Sequence, residues 1–140
     1  MRRHALLLAP LVAVPLAAIG CGNTARQEAA VPGTAASASA TATTGADGVQ
    51  EVVVGTTDKF RFGPATVHAH TGRLRIVLID DGNYPHNIAF SSLHATSATV
   101  SGTPGQQRKV LTVTFASPGT YDFVCTYHSS AGMKGRVVVS

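Results

Sequence analysis

Three side chains with metal-binding chemistry stand close together near the C-terminal end of the chain, and a fourth lies upstream. Cys125, His128 and Met133 follow the spacing Cys-x2-His-x4-Met, and His86 stands in the tripeptide Pro-His-Asn. One thiolate, two imidazoles and one thioether are the ligands of a mononuclear type 1 copper site, in which the thiolate and the imidazoles form a trigonal plane and the thioether is a long, weak axial ligand. The sequence therefore predicts that these four side chains bind one copper ion.

Each of these side chains, taken alone, has an ordinary structural explanation. A lone cysteine is commonly a small apolar residue of the core, and a lone methionine commonly fills a gap in the packing. The chain also has His68 and His70, which form His-x-His on a predicted strand and therefore point to one face. We expect that face to be exposed to solvent, with binding of a stray metal ion as the alternative. We assign no role to His94.

Short β-strands are the elements that must position the four ligands. From residue 49 onward the chain has seven or eight short segments rich in β-branched and aromatic residues, separated by turn sequences such as Ser-Pro-Gly. Alternation in the segment that ends at Cys125 places Tyr121, Phe123 and Cys125 on one face. The pattern predicts an all-β fold, a Greek-key β-sandwich of seven to eight strands. Residues 91–105 are predicted to form a loop with at most one helical turn.

This architecture explains how distant residues can meet. A strand that ends at Cys125 delivers the thiolate to one end of the sandwich, and the loop that follows has to turn there, presenting His128 and Met133. His86 must then come from a second loop at the same end. We therefore expect the ligands to lie on two loops supported by a rigid β-scaffold.

The first 48 residues are interpreted as export and linker segments. In residues 1–20, two arginines precede an apolar run that is too short and too interrupted by prolines to span a membrane, which is typical of a signal peptide for general or twin-arginine export. The sequence Ala-Ile-Gly-Cys resembles a bacterial lipobox, so we expect Cys21 to carry a lipid; an incidental cysteine after an ordinary signal peptide is the alternative. Residues 21–48 are rich in Ala, Ser, Thr and Gly and predict a flexible, lipid-anchored linker. The folded domain is predicted at residues 49–140, on the outer face of the cytoplasmic membrane or in the periplasm.

Charge and cysteine content narrow the function further. The formal net charge is +4 without a basic run, which argues against nucleic-acid binding, because that needs a concentrated basic stripe. The chain has two cysteines. If Cys21 is acylated, Cys125 has no disulfide partner, and a free thiol outside the cytoplasm is open to oxidation. Coordination of a metal ion by Cys125 removes that liability.

Residues 49–140 resemble the cupredoxins of the plastocyanin and azurin family. The resemblance rests on these segments: Phe62-Gly63-Pro64, Gly72, Pro85-His86-Asn87, Pro118-Gly119-Thr120-Tyr121, and Cys125-x2-His128-x4-Met133 followed by Gly135. It implies an eight-stranded Greek-key sandwich, a type 1 copper ion and one-electron exchange with partner proteins. The ligands that it implies are His86, Cys125, His128 and Met133.

The resemblance also implies roles for residues around the ligands. Asn87 is expected to connect the two ligand loops by hydrogen bonds, with Thr126 as its partner. His128 is expected to lie at the surface in an apolar patch and to serve as the port for electrons. Val124 stands where plastocyanins usually have a tyrosine, and the chain has no acidic cluster. We therefore do not expect docking through an acidic patch.

Three functions of different classes are compatible with a copper site. We expect a monomeric carrier of single electrons between extracytoplasmic redox proteins, which dock transiently at the His128 end. The alternative is a copper-handling protein that stores or delivers the ion outside the cytoplasm. A copper enzyme would need a second copper site with a further histidine beside Cys125, and Val124 and Thr126 stand there instead. We therefore expect no enzymatic activity.

Overall fold

The computed structural model describes residues 38–103 and 107–140, and most regular structure in these two ranges is β-strand. Two 3-10 helical turns, at Ser91–Leu93 and Ser129–Ala131, accompany the strands. The described residues form β1 (Ser39–Thr41), β2 (Thr43–Thr44), β3 (Gln50–Thr57), β4 (Arg61–Gly63), β5 (Thr66–Ala69), β6 (Gly72–Asp80), β7 (Ala89–Phe90), β8 (Ala95–Thr96), β9 (Arg108–Phe115), β10 (Gly119–Val124) and β11 (Lys134–Val139).

The strands are arranged in two sheets. The first sheet has the order β1-β5-β11-β10-β7-β8, and the second has the order β2-β3-β6-β9, with β4 also paired to β3. Strands that are neighbours in a sheet are often distant in sequence. For example, β5 pairs with β11 in parallel orientation, and β6 pairs with β9 in antiparallel orientation. The predicted all-β sandwich is confirmed, and the described residues form eleven strands where seven to eight were predicted.

Apolar side chains from both sheets form the core. In β9 the alternation is regular, since Val113 and Phe115 are buried while Thr112 and Thr114 are exposed. Burial of a large apolar side chain stabilises a fold by about 1.5–3 kcal/mol, so this alternation fixes which face of each strand turns inward. The largest fully buried side chains of the two sheets are Phe90, Phe115, Phe123, Leu74, Ile76 and Leu78.

The segment predicted as a linker, residues 21–48, contains two short strands in its described part. Residues 39–44 form β1, which pairs in parallel with β5, and β2, which pairs with β3. Small and hydroxylated residues carry no apolar alternation, so nothing in their pattern predicts a strand. They are ordered by main-chain hydrogen bonds to exposed strand edges and by packing of Ala40 and Ala42 against the core. Residues 1–37 lie outside the described residues, and with them the predicted signal peptide, Cys21 and most of the predicted linker.

The segment predicted as a loop with at most one helical turn contains that turn, at Ser91–Leu93, and also the short strand β8. His94 ends the turn with a φ of 48° and is exposed. Across the two described ranges, no helix has the length and apolar character needed to cross a membrane.

The sandwich presents two connections at one end. The strand β10 ends at Val124, so Cys125 is the first residue of the β10–β11 connection. His86 lies in the connection between β6 and β7, where it forms an isolated antiparallel bridge with Val100 through two hydrogen bonds of 2.9 Å. These two connections are the ligand loops that the sequence predicted.

Candidate metal centre

The structure brings three of the four predicted ligands together. The ligand atoms of His86, Cys125 and His128 all lie within 4.8 Å of one another. The Sγ atom of Cys125 is 3.9 Å from Nδ1 of His86 and 3.7 Å from Nδ1 of His128. Donors bonded to one metal ion at about 2.0–2.3 Å in a trigonal plane stand roughly 3.5–4 Å apart. The spacing of these donors therefore fits a single small metal ion.

Met133, the fourth predicted ligand, is fully buried and belongs to the same loop. Its backbone N–H donates to the carbonyl oxygen of His128 at 3.1 Å, and its own carbonyl oxygen accepts a hydrogen bond from the N–H of Cys125 at 3.1 Å. The main chain thus joins Met133 directly to two of the other ligands. The donor set of two imidazoles, one thiolate and one thioether suits copper in both of its oxidation states.

The β10–β11 loop is tightly turned. The N–H of His128 donates to the carbonyl oxygen of Cys125 at 3.3 Å, and the helical turn Ser129–Ala131 follows. Gly132 ends that turn with a φ of 81°, a left-handed conformation that glycine adopts without steric cost. Because of this reversal, the chain returns to the sheet at Met133 rather than continuing outward.

Asn87 connects the two ligand loops as the resemblance implied. Its Oδ1 atom accepts a hydrogen bond from the backbone N–H of Thr126 at 2.9 Å, and its Nδ2 atom donates to Thr126 Oγ1 at 2.9 Å. Asn87 is 5% exposed, whereas Thr126 is an exposed residue. Each partner is adjacent in sequence to a predicted ligand, so these bonds fix the distance between His86 and Cys125.

The electrostatic environment favours neutral imidazole at His86. Burial disfavours the charged form and lowers the pKa of His86 below its ordinary value of 6.5, and the neighbouring His128 lowers it further. Since a histidine binds a metal ion through an unprotonated nitrogen, the fold keeps His86 in the form that can bind. In the part of the chain that the structure describes, Cys125 is a buried free thiol.

Aromatic rings surround His128, and the sequence did not predict this arrangement. The ring of Phe60 stacks on the imidazole of His128, with 4.1 Å between ring centroids and 17° between planes. Tyr84 and Tyr127 lie farther away, at 6.2 and 6.4 Å, and are 51% and 50% exposed. His128 itself is half-buried among them. The resemblance predicted an apolar surrounding for this residue, but no sequence signal identified the rings that supply it.

Among the described residues, the other histidines are not part of this cluster. His68, in β5, and His70, directly after it, are both exposed, as predicted. The Nδ1 atom of His70 lies 3.0 Å from the Oγ atom of Ser140, so this imidazole already has a hydrogen-bond partner.

The sandwich and its donor set define a cupredoxin, a β-sandwich protein with a type 1 copper site formed by His86, Cys125, His128 and Met133. The family model for copper-binding proteins of the plastocyanin/azurin family matches residues 49–140, so the chain belongs to that family and copper is its cofactor. Amicyanin-alpha of Methylorubrum extorquens is 34% identical over 97 residues, which cover 66% of this chain and 79% of the relative.

Two further comparisons agree with this result. Amicyanin of Paracoccus denitrificans is 29% identical over 129 residues, which cover 92% of each protein. The solved structure of auracyanin A, a blue copper protein from Chloroflexus aurantiacus, matches with a TM-score of 0.55 at 16% identity, covering 66% of this chain and 100% of auracyanin A. At that identity the structural likeness supports the fold alone.

Proposed function

We propose that this protein carries single electrons between redox proteins outside the cytoplasm, with His86, Cys125, His128 and Met133 as the copper ligands. The observation that carries the proposal is the preassembled donor set, in which Cys125 Sγ lies 3.9 and 3.7 Å from two imidazole nitrogens. Bound copper would supply a one-electron couple. The family to which the chain belongs, and the amicyanins that it resembles, support this reading.

The residues of the site suit this role because they are held in place from several directions. His86 is hydrogen-bonded to Val100, Asn87 to Thr126, and Met133 to Cys125 and His128. A site whose donors move little between Cu(I) and Cu(II) has a low reorganisation cost, which favours rapid electron exchange. Full burial of Cys125 and Met133 excludes water from the sulfur donors.

Partner proteins are proposed to dock at the end of the sandwich where His128 lies. His128 is half-buried there, while His86, Cys125 and Met133 are 0% exposed, so its imidazole is the ligand nearest to solvent. Transient redox complexes typically have small interfaces. We further propose a monomer that is exported by a signal peptide at residues 1–20 and anchored through lipid on Cys21, with a linker that ends before β1.

The alternative, a protein that stores or delivers copper, requires a site that exchanges its ion readily. Burial of three of the four donors favours retention instead. The two functions are separated by the exchange rate: a carrier keeps its copper in the presence of a competing chelator while it cycles between oxidation states, and a delivery protein gives the ion up.

The experiment that tests the proposal is addition of Cu(II) to the purified protein, with visible absorption and electron paramagnetic resonance recorded together. We expect an intense thiolate-to-copper band and a narrow copper hyperfine splitting. Cys125→Ser should abolish the intense band, because the sulfur that gives rise to it is removed, and circular dichroism would verify that the variant is folded. A colourless wild-type protein, or a folded Cys125→Ser protein that keeps the band, would remove Cys125 from the site.

A further inference from the structure

The turn between β3 and β4, residues 58–60, contains none of the four ligands, yet it contacts both ligand loops. On one side, Asp58 accepts two hydrogen bonds from Asn83, at 2.7 Å from the backbone N–H and at 3.0 Å from Nδ2. Asn83 lies in the connection that carries His86. A Cβ atom on Gly82 would overlap the carboxylate of Asp58, so the two segments approach as closely as glycine permits.

On its other side the turn contacts the loop that carries His128. The Nη1 atom of Arg61 donates to the carbonyl oxygen of Phe60 at 2.9 Å and to that of Ala131 at 3.3 Å. One guanidinium group therefore joins the end of the turn to the helical turn that follows His128. The Phe60 ring completes the contact, because it stacks on His128 and also lies 6.3 Å from the ring of His86.

The backbone of Phe60 is in an uncommon conformation. Its φ is 54°, in the left-handed region that residues with a side chain adopt at a cost, and its N–H donates to the carbonyl oxygen of Thr57 at 2.9 Å. Strained residues of this kind persist where the surroundings determine them, and they concentrate at functional sites. Here the conformation interrupts strand alternation, so that Phe62 enters the core while Phe60 lies against His128.

We propose that Phe60 is a positioning residue, which fixes the plane of the His128 imidazole for copper binding and is itself held by Arg61. This inference rests on the proposed function, because it concerns the same copper site. An imidazole held by a stacked ring loses less rotational freedom when it binds the metal ion. Removal of the stack should therefore weaken copper binding without changing the set of ligands.

The test compares Phe60→Leu, which keeps an apolar side chain without a ring, with Phe60→Tyr, which keeps the ring. Tyr127→Leu is the matched control, since it removes a ring that lies 6.4 Å from His128 without stacking on it. Nuclear magnetic resonance of the metal-free protein reports the ring-proton shifts of His128, and competition with a chelator of known affinity reports binding of Cu(I). Stacked aromatic pairs contribute enough to change an equilibrium about two- to twelvefold.

We expect Phe60→Leu to move the His128 ring protons downfield, because they lose the shielding of the stacked ring, and to weaken Cu(I) binding about two- to twelvefold. Phe60→Tyr should restore both values, and Tyr127→Leu should change neither by a comparable amount. The proposal is overturned if Phe60→Leu leaves the His128 shifts unchanged, or if its affinity equals that of the control. Because the shifts are measured without metal, they test the stack even if wild-type protein fails to bind copper, and that failure would count against the proposed function instead.

Discussion

The connection between Asn87 and Thr126 gives the most quantitative prediction of how this site is held together. Asn87→Ala removes the acceptor for the Thr126 N–H and the donor to Thr126 Oγ1, each at 2.9 Å. A typical intramolecular hydrogen bond contributes about 0.5–1.5 kcal/mol to the free energy of unfolding. Thr126 is exposed, so water can solvate its N–H in the variant, and the cost lies toward the lower end of the range. We therefore expect Asn87→Ala to lose about 1–2 kcal/mol.

A double-mutant cycle separates the bond from other effects of the substitution. Thr126→Val removes the hydroxyl group but keeps the backbone N–H that donates to Asn87, so it should cost about 1 kcal/mol or less. Once Asn87 is alanine, the hydroxyl has no partner to lose. The double variant should then be no less stable than Asn87→Ala alone, and the two substitutions should be strongly non-additive.

Urea unfolding of the metal-free protein, followed by circular dichroism, measures these differences. In thermal unfolding, a loss of 1 kcal/mol in the free energy of unfolding would lower the Tm by about 4–8 °C for a domain of this size. Thr99→Val is a suitable control, because it removes an exposed hydroxyl that lies 2.9 Å from Tyr127 Oη and should cost less than about 0.5 kcal/mol. Additive losses in the cycle, or an unchanged urea midpoint for Asn87→Ala, would refute the idea that these bonds join the ligand loops energetically.

Three further predictions concern other parts of the site and its support. Met133→Leu should keep the blue colour and raise the reduction potential measured by redox titration, since a weak donor that favours Cu(II) is lost while the volume is nearly conserved; an unchanged potential would argue against ligation by Met133. Metal-free protein should lose stability as the pH falls below about 6.5, because the lowered pKa of His86 means that the unfolded chain takes up a proton before the folded one does. The urea midpoint of wild-type protein between about pH 8 and about pH 5 should therefore fall more than that of His86→Gln, and equal slopes would contradict this. Gly135→Ala should cost about 1–3 kcal/mol in urea unfolding, since its Cβ would lie 2.5 Å from Phe123 Cζ and 2.6 Å from the carbonyl oxygen of Ala65; a wild-type midpoint would show that this packing relaxes easily.

The centre of the site could be predicted from the sequence because its donors are chemically distinctive and its strands are regular. Cysteine, histidine and methionine at fixed spacing have few joint explanations, and strand alternation places Cys125 on the same face as Phe123. The structure bears out that placement, with Phe123 1% and Cys125 0% exposed. Asn87 and Thr126 could be paired only because the resemblance supplied the role of the asparagine, since spacing alone does not bring residues 39 positions apart together.

The parts that could not be predicted depend on backbone conformation and on pairing of polar strands. Strand alternation would place Phe60 and Phe62 on one face, whereas in the structure Phe60 has a left-handed φ and its ring stacks on His128. The residue type at position 60 does not indicate the conformation, because glycine, asparagine or aspartate usually adopts it and a phenylalanine stands there. β1 could not be predicted for a different reason. It is held by main-chain hydrogen bonds to β5, and the side-chain pattern of a sequence does not show which strand edges are free to pair.

Electrons can leave the copper site by two routes, through Cys125 or through His128. From Cys125, the main chain leads to the preceding residue, Val124, which is half-buried and paired with Ala89 and Lys134. Val124 is aliphatic, so it offers no aromatic ring to a partner. The path through His128 leads to an imidazole that is the most exposed of the predicted ligands and is stacked on Phe60. A partner that docked over His128, as we propose, would also contact Tyr84 and Tyr127, whose exposed rings provide apolar area with little loss of side-chain entropy. Phe60, the ring that holds the ligand, lies 5.5 Å from Tyr84 and so adjoins the surface that we propose for docking. A substitution that loosens His128 should therefore also slow electron exchange with a partner.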